Sequence, residues 1–415
     1  MNLHVGWVAW IAAAALVVPG RSGAADEPVV LRVAMYPYVP AAHDLFFKLE
    51  QAFEASNPGV DVQLVETYQL EGEPQQLKDG YYTGGLALID ADVYEVDTIL
   101  LADLVEKFQL VALPTDRTFA PLGLTASQVG GKIYGVPHWM CGNFLFYRKS
   151  DTAIRDAKTW DDLTKVVGEN PAEGGVLVDL RGSLTMGEWY LTALSETVDS
   201  NALFGAVTSA SDSKVIATVQ RVLNMCPTGF CRSNDFHNRD GFYSRMFVRG
   251  LGRAYIGYSE SLHDALTEYA NVCTASSGCV SPDDIAIRRL PQAPGRSAIG
   301  WVDVLAVDKR LTSRKLGLAH KWIDYVTSSD AYRAVLNGKE APPRYLLPAV
   351  QLSKEIEGAP RYPDFFREFG DRVTLSGAGI GAKLAPRSCT LNCALPFDRT
   401  DEKGPKKCPP IAQCN

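Results

Sequence analysis

A chain of 415 residues, 46% hydrophobic and 21% charged, is too apolar for a disordered protein and too long for a small disulfide-stapled module. Its 41 Lys and Arg against 48 Asp and Glu leave a net charge of −7, which argues against a surface built for nucleic acid and leaves a cationic ligand acceptable without selecting a partner. At this length two domains or lobes are expected.

The chain opens with an apolar run from Trp7 to Val18, followed by Pro19, Gly20 and the small residues Ser22 to Ala25. This is the layout of a secretory signal peptide, expected over 1–25, and the run is too short to span a membrane. Val29 to Met35 then reads as a buried strand. His43 to Ala55 carries Leu45, Phe46, Leu49 and Phe53 at helical spacing and stops at Asn57-Pro58-Gly59, before a second strand over Val60 to Val65. Strand, helix and strand in this order predict an α/β protein with parallel sheets. ENPAEGG, at 169–175, marks a later joint; SGAGIGAK, around Gly377, reads as a flexible loop, and 386–415 as a cystine-pinned appendix. Neither a GxxxxGK[ST] loop nor an HExxH occurs, so no nucleotide or zincin site is signalled.

Eight of the nine cysteines fall in close pairs: CPTGFC (226–231), CTASSGC (273–279), CTLNC (389–393) and CPPIAQC (408–414). The first two loops can each close on themselves, whereas the four tail cysteines allow three connectivities. Irregular spacing and the lack of nearby histidines argue against zinc, and such pairing suits an oxidising compartment. Cys141 is left over. An unpaired thiol is a liability there, which makes Cys141 a candidate nucleophile as well as a candidate small buried hydrophobe.

A nucleophilic thiol needs a base. His138 follows Pro137 in an extended stretch, where residues three apart face opposite ways, which sets it aside as a polar cleft or structural residue. Glu260 follows the strand-like Arg253 to Tyr258 and stands at a strand's carboxyl end, the usual place for site residues in open α/β sheets.

The segments VLRVAMYPYVP, FEASNPGVDVQLVE and GGKIYGVPHWMCGNFLFYRKS resemble those of extracellular solute-binding proteins. That resemblance implies an α/β, two-lobed, type II periplasmic-binding-protein-like fold with a ligand cleft between the lobes. Lobe 1 is expected over 26–138 and about 300–345, lobe 2 over 139–299 and about 346–385, with 386–415 as the tail. A narrower resemblance rests on YPYVP, VPHWMCGNFLFY, GYSES and WVDVLAV in this order, which are similar to segments of the type I thiaminases, or thiamine pyridinylases.

Carried over by that resemblance, Cys141 is the nucleophile, Glu260 the glutamate that activates it, Asp303 and Asp97 contacts of the aminopyrimidine, and Tyr36, Tyr38 and Tyr258 ring-packing tyrosines. Trp301 takes the place of an aromatic two residues before Asp303. The implied activity is cleavage of thiamine at its methylene bridge, with transfer of the pyrimidine to an amine, pyridine or thiol. No cofactor, metal or nucleic acid is expected, and the protein is expected to be a secreted or periplasmic monomer. The alternative is a solute-binding protein that serves a transporter and does no chemistry; it would need aromatics and carboxylates but no thiol.

Overall fold

The computed structural model describes residues 27–65, 86–109, 111, 118–207, 213–237, 239, 241–273, 278–336, 343–351, 361–370, 372, 380–397, 400–401 and 404–405. The signal segment, Cys408 and Cys414 lie outside the described residues.

The predicted opening forms as read. Strand β1 (Val29–Ala34) leads into the helix Ala42–Ser56, which buries Leu45, Phe46, Leu49 and Phe53. Strand β2 (Val60–Leu64) returns parallel to β1 with Val29 opposite Val60. Phe53 meets Trp322 of the helix Ser313–Val326 edge-on at 5.2 Å, so an aromatic pair pins the two helices to each other.

Strands β3 (Val93–Asp97) and β4 (Phe108–Gln109) follow, then a small hairpin of β5 (Gln128–Val129) and β6 (Lys132–Ile133). Strand β7 (Val136–Cys141) completes the outward run. The chain then crosses to a second sheet built from β8 (Phe144–Arg148), β9 (Val176–Val178), β10 (Ala254–Gly257) and β11 (Ile285–Arg289), in the order β11-β8-β10-β9. It comes back through β12 (Trp301–Asp308), with β13 (Leu347–Pro348) on the edge, so the first sheet runs β13-β7-β12-β3-β1-β2 and β4 pairs β12. The expectation of parallel sheets needs correction. β12 runs antiparallel to both β3 and β7 because the chain re-enters the first sheet from the other lobe, β13 pairs antiparallel with β7, and β8 runs antiparallel to both its neighbours.

The crossing falls between Cys141 and Phe144, later than 138, and Leu347–Pro348 pair with β7 in the first sheet. Arg372 pins it. The buried guanidinium donates to Asn143 O (2.7 Å) and Ile299 O (2.9 Å), one carbonyl from each crossing segment, and lies over the Phe144 ring at 4.5 Å. Gly142 is required beside it, since a Cβ there would stand 2.8 Å from Arg372 Nη1 and 3.0 Å from Ile299 O.

Two cysteine loops close on themselves as predicted, Cys226–Cys231 and Cys273–Cys279; Cys389 and Cys393 are also disulfide-bonded. The stretch read as a loop and appendix is helical from Ile380 to Ala394. This helix packs on the helices Ser183–Leu194 and Thr98–Leu104, and Arg181 donates to Asn392 Oδ1 at 2.7 Å, so the segment is built into the body of the fold.

Candidate active site

Between the two sheets lies a cavity of ≈ 420 Å³, within the roughly 300–1,000 Å³ usual for small-molecule sites. The first sheet's side contributes Tyr36, Tyr38, Asp97 and Cys141; the second contributes Glu188, Trp189, Tyr258 and Glu260. The two tyrosines of the YPYVP segment meet at a centroid distance of 5.4 Å.

Cys141 is the last residue of β7, half-buried at the cavity wall, and it is the free cysteine among the described residues. Trp301 stands directly opposite it on β12 and is buried in the core, off the cavity wall. Asp303, two residues on, lies opposite both Trp139 on β7 and Asp97 on β3. It too is buried, behind the lining residues, yet after burial it is the carboxyl group that does most to raise the Cys141 thiol.

The site is crowded with carboxylates, and their proton affinities follow from that. Burial, then Asp303, Glu260, Asp97 and Glu188, push the Cys141 thiol well above its ordinary value, so at neutral pH it rests protonated. Burial pushes Glu260 up to about 7 against the partial relief of its own backbone N–H and of Ser259, whose Oγ donates to Glu260 Oε2 at 3.2 Å. A carboxyl poised near neutrality that lines the same cavity as a thiol has the proton affinity that a general base at neutral pH needs. Burial and Asp97 push Asp303 well above the usual carboxylate range. Asp97 also caps the helix Thr98–Leu104, accepting from Ile99 N at 2.9 Å.

His138 is fully buried. The register of β7 against β12 shifts between Asp303 and Val304, and His138 is the extra residue on the β7 side. Its Nδ1 meets Glu95 Oε1 at 2.5 Å, and Glu95 Oε2 accepts from Tyr36 N at 2.7 Å. His138 thus supports the YPYVP loop through Glu95 and does not line the cavity.

Sequence reasoning missed several residues. Glu188 projects from the helix Ser183–Leu194 with Leu184, Thr185 and Trp189, one face at helical spacing turned to the cavity. Tyr258 donates a very short hydrogen bond to Glu188 Oε2, and burial raises Glu188 to about 8. A lone acidic residue in the otherwise uncharged SLTMGEWYLTAL was the available signal. Farther out, Asp179 Oδ2 pairs with His237 Nδ1 at 2.7 Å, and the His237 ring crowds Gly182, which has φ +86° and no room for a Cβ. Phe236 and Phe242 stack at 4.3 Å on the same rim.

Comparison with known proteins gives this arrangement a context. A family model described as the Thiaminase-1 domain matches residues 142–274, which run from just after Cys141 through Glu188 and Glu260. The chain is 25% identical over 358 residues, 80% of either chain, to Thiaminase-1 of Paenibacillus thiaminolyticus. Among solved structures, Clostridium botulinum thiaminase I in complex with thiamin superposes with a TM-score of 0.67 at 20% identity, covering 86% of this chain and 97% of that one. Maltose-bound MalE3 of T. maritima superposes with a TM-score of 0.64 at 17% identity, covering 88% and 93%. The fold is therefore the two-lobed one shared by thiaminase I and sugar-binding proteins of the periplasmic type. Within it, the sequence similarity is to the type I thiaminases.

Proposed function

We propose that the protein is a thiamine-degrading transferase that cleaves thiamine at the methylene bridge through a covalent adduct on Cys141. The observation that carries this reading is a free, half-buried thiol facing Glu260 across an interlobe cavity, in a chain similar over 80% of its length to a thiaminase. A protein that only binds and releases a solute has no use for that thiol.

Glu260 takes the thiol proton as Sγ adds to a ring carbon of the electron-poor aminopyrimidine. Because the thiol is held well above neutrality, the transfer is uphill until the ring accepts the sulfur electrons, so deprotonation and attack are coupled. The adduct places electron density on the ring nitrogens. The proton shared by Asp303 and Asp97 stabilises that density, delivered through Asp97, the member of the pair that lines the cavity. The bridge C–N bond then breaks with its electron pair going to the thiazolium nitrogen, which leaves a neutral thiazole. An amine, pyridine or thiol attacks the exposed methylene carbon, the C–S bond breaks with its electron pair returning to sulfur, and Glu260 hands the proton it holds to the departing thiolate; freed of it, Glu260 accepts the proton of an acceptor that carries one and passes it to water. Tyr36, Tyr38 and Tyr258 wall the flat rings, and Trp301 backs the strand that carries Cys141.

The Cys226–Cys231 and Cys273–Cys279 disulfides fit an exported protein that acts as a monomer. Among the described residues no helix is long and apolar enough to cross a membrane. Incubation with thiamine and pyridine or aniline, read by mass spectrometry, tests the function: free thiazole and the pyrimidinylmethyl acceptor are expected, and unchanged thiamine overturns it.

A further inference from the structure

We infer that Glu188 is the charge-recognition group of the cleft, facing the thiazolium ring of bound thiamine and selecting for its positive charge. This rests on the thiamine reading above.

Consider where each carboxylate of the cavity is committed. Asp97 caps a helix through Ile99 N, Asp179 holds His237, and Asp264 is bridged by Arg245 at 3.2 Å. Glu260 belongs to the thiol. Glu188 is 5% exposed and lines the cavity, and its hydrogen-bond partner is a neutral one, the Tyr258 hydroxyl on Oε2. A carboxylate this buried is costly to ionise without a cation. Among the described residues no cation pairs with Glu188, since of the cavity's arginines Arg245 is held by Asp264 and Arg239 lies over the Phe236 ring, so the cation that completes the site comes with the ligand.

Position agrees with this. On that reading the pyrimidine end is held on the first sheet by Cys141 and by Asp97 with Asp303 behind it, and one methylene joins the two rings, so the second ring lies within a ring's width of the reacting carbon. Glu188 and Tyr258 stand on the facing lobe, near enough that the Cys141 thiol and Glu188 each bear on the Tyr258 hydroxyl. The ring loses its charge as the C–N bond breaks. Glu188 therefore favours bound substrate over the departing neutral thiazole, and its contribution belongs to binding and not to the barrier.

The test measures affinity on a Cys141→Ser background for thiamine and for 3-deazathiamin, which has the same shape with an uncharged thiophene. Glu188→Gln is expected to weaken thiamine by about tenfold to a hundredfold, the range of a charge-assisted contact, and to leave 3-deazathiamin within about twofold. With Cys141 restored, it is expected to raise KM without lowering kcat. Tyr258→Phe, which removes the donor that favours the charged carboxylate, is expected to act in the same direction more weakly, and it serves as the second variant should Glu188→Gln fail to fold. An equal loss for both compounds, or no loss for either, overturns the assignment. Binding of neither compound by Cys141→Ser alone overturns the thiamine reading and the assignment together.

Discussion

Asp303 lies directly opposite Asp97 across the antiparallel β12–β3 pair, and both carboxyl groups are buried. Two carboxylates on facing residues of a sheet cannot both ionise cheaply, and Asp303 is the one pushed well above the usual range. The pair therefore shares one proton, and under the proposed function it acts on the aminopyrimidine through Asp97, the member that lines the cavity.

Asp303→Asn keeps the shape and removes the shared proton. It is expected to lower kcat/KM at least about tenfold, and to weaken thiamine on the Cys141→Ser background by less, because the interaction strengthens only as the ring gains electron density. Equal losses in affinity and turnover make Asp303 a uniform binding residue.

The pH dependence separates the base from the nucleophile. With Glu260 at about 7, Glu188 at about 8 and the thiol well above 9, the alkaline-rising limb of kcat/KM carries two steps, Glu260 near 7 and the proposed Glu188 contact near 8. Glu260→Gln removes the lower step and lowers turnover by about 10² to 10⁴, whereas His138→Asn, buried against Glu95, leaves that step in place. A limb that moves in His138→Asn transfers the base role to His138.

Stability carries the opposite pH sign from that of a salt-bridged carboxylate. The folded protein holds Glu188 at about 8 and Glu260 at about 7 against an ordinary 4.5, so it binds protons more tightly than the unfolded chain. Their contribution is fully present below 4.5 and is lost as pH rises through 7 and 8. Thermal melting is expected to fall between pH 5 and 8.5 and to fall less in Glu188→Gln; a melting temperature that rises over this range contradicts the burial of these groups.

Arg372 ties both crossing segments, and Arg372→Met leaves the carbonyls of Asn143 and Ile299 without their charged donor. A loss of about 2 to 4 kcal/mol in unfolding free energy is expected, read from urea midpoints. A loss below about 0.5 kcal/mol would make the contact incidental.

Much of this arrangement was legible in the sequence because local rules decide it. The helical spacing of Leu45, Phe46, Leu49 and Phe53, the SNPG stop, the self-closing CPTGFC and CTASSGC loops and the odd Cys141 each follow from neighbours in the chain. What escaped depends on pairing between distant segments. The aromatic two residues before Asp303 was expected to meet ligand, but strand register sets Trp301 opposite Cys141 in the core. The His138 bulge appears only when β7 is laid against β12, and mixed sheets arise from lobe crossings that periodicity does not report. Glu188 stayed hidden because a single acid in an apolar helix looks like a solvent-facing residue until the cavity is seen on that side.

The most direct test of the central claim follows thiazole release from thiamine in the presence of pyridine, comparing the wild-type protein with Cys141→Ser. The wild-type protein is expected to turn over, with pyrimidine recovered on pyridine, while Cys141→Ser binds thiamine and releases no thiazole. Turnover by Cys141→Ser at the wild-type rate, or tight binding of thiamine by the wild-type protein with no cleavage, would contradict it.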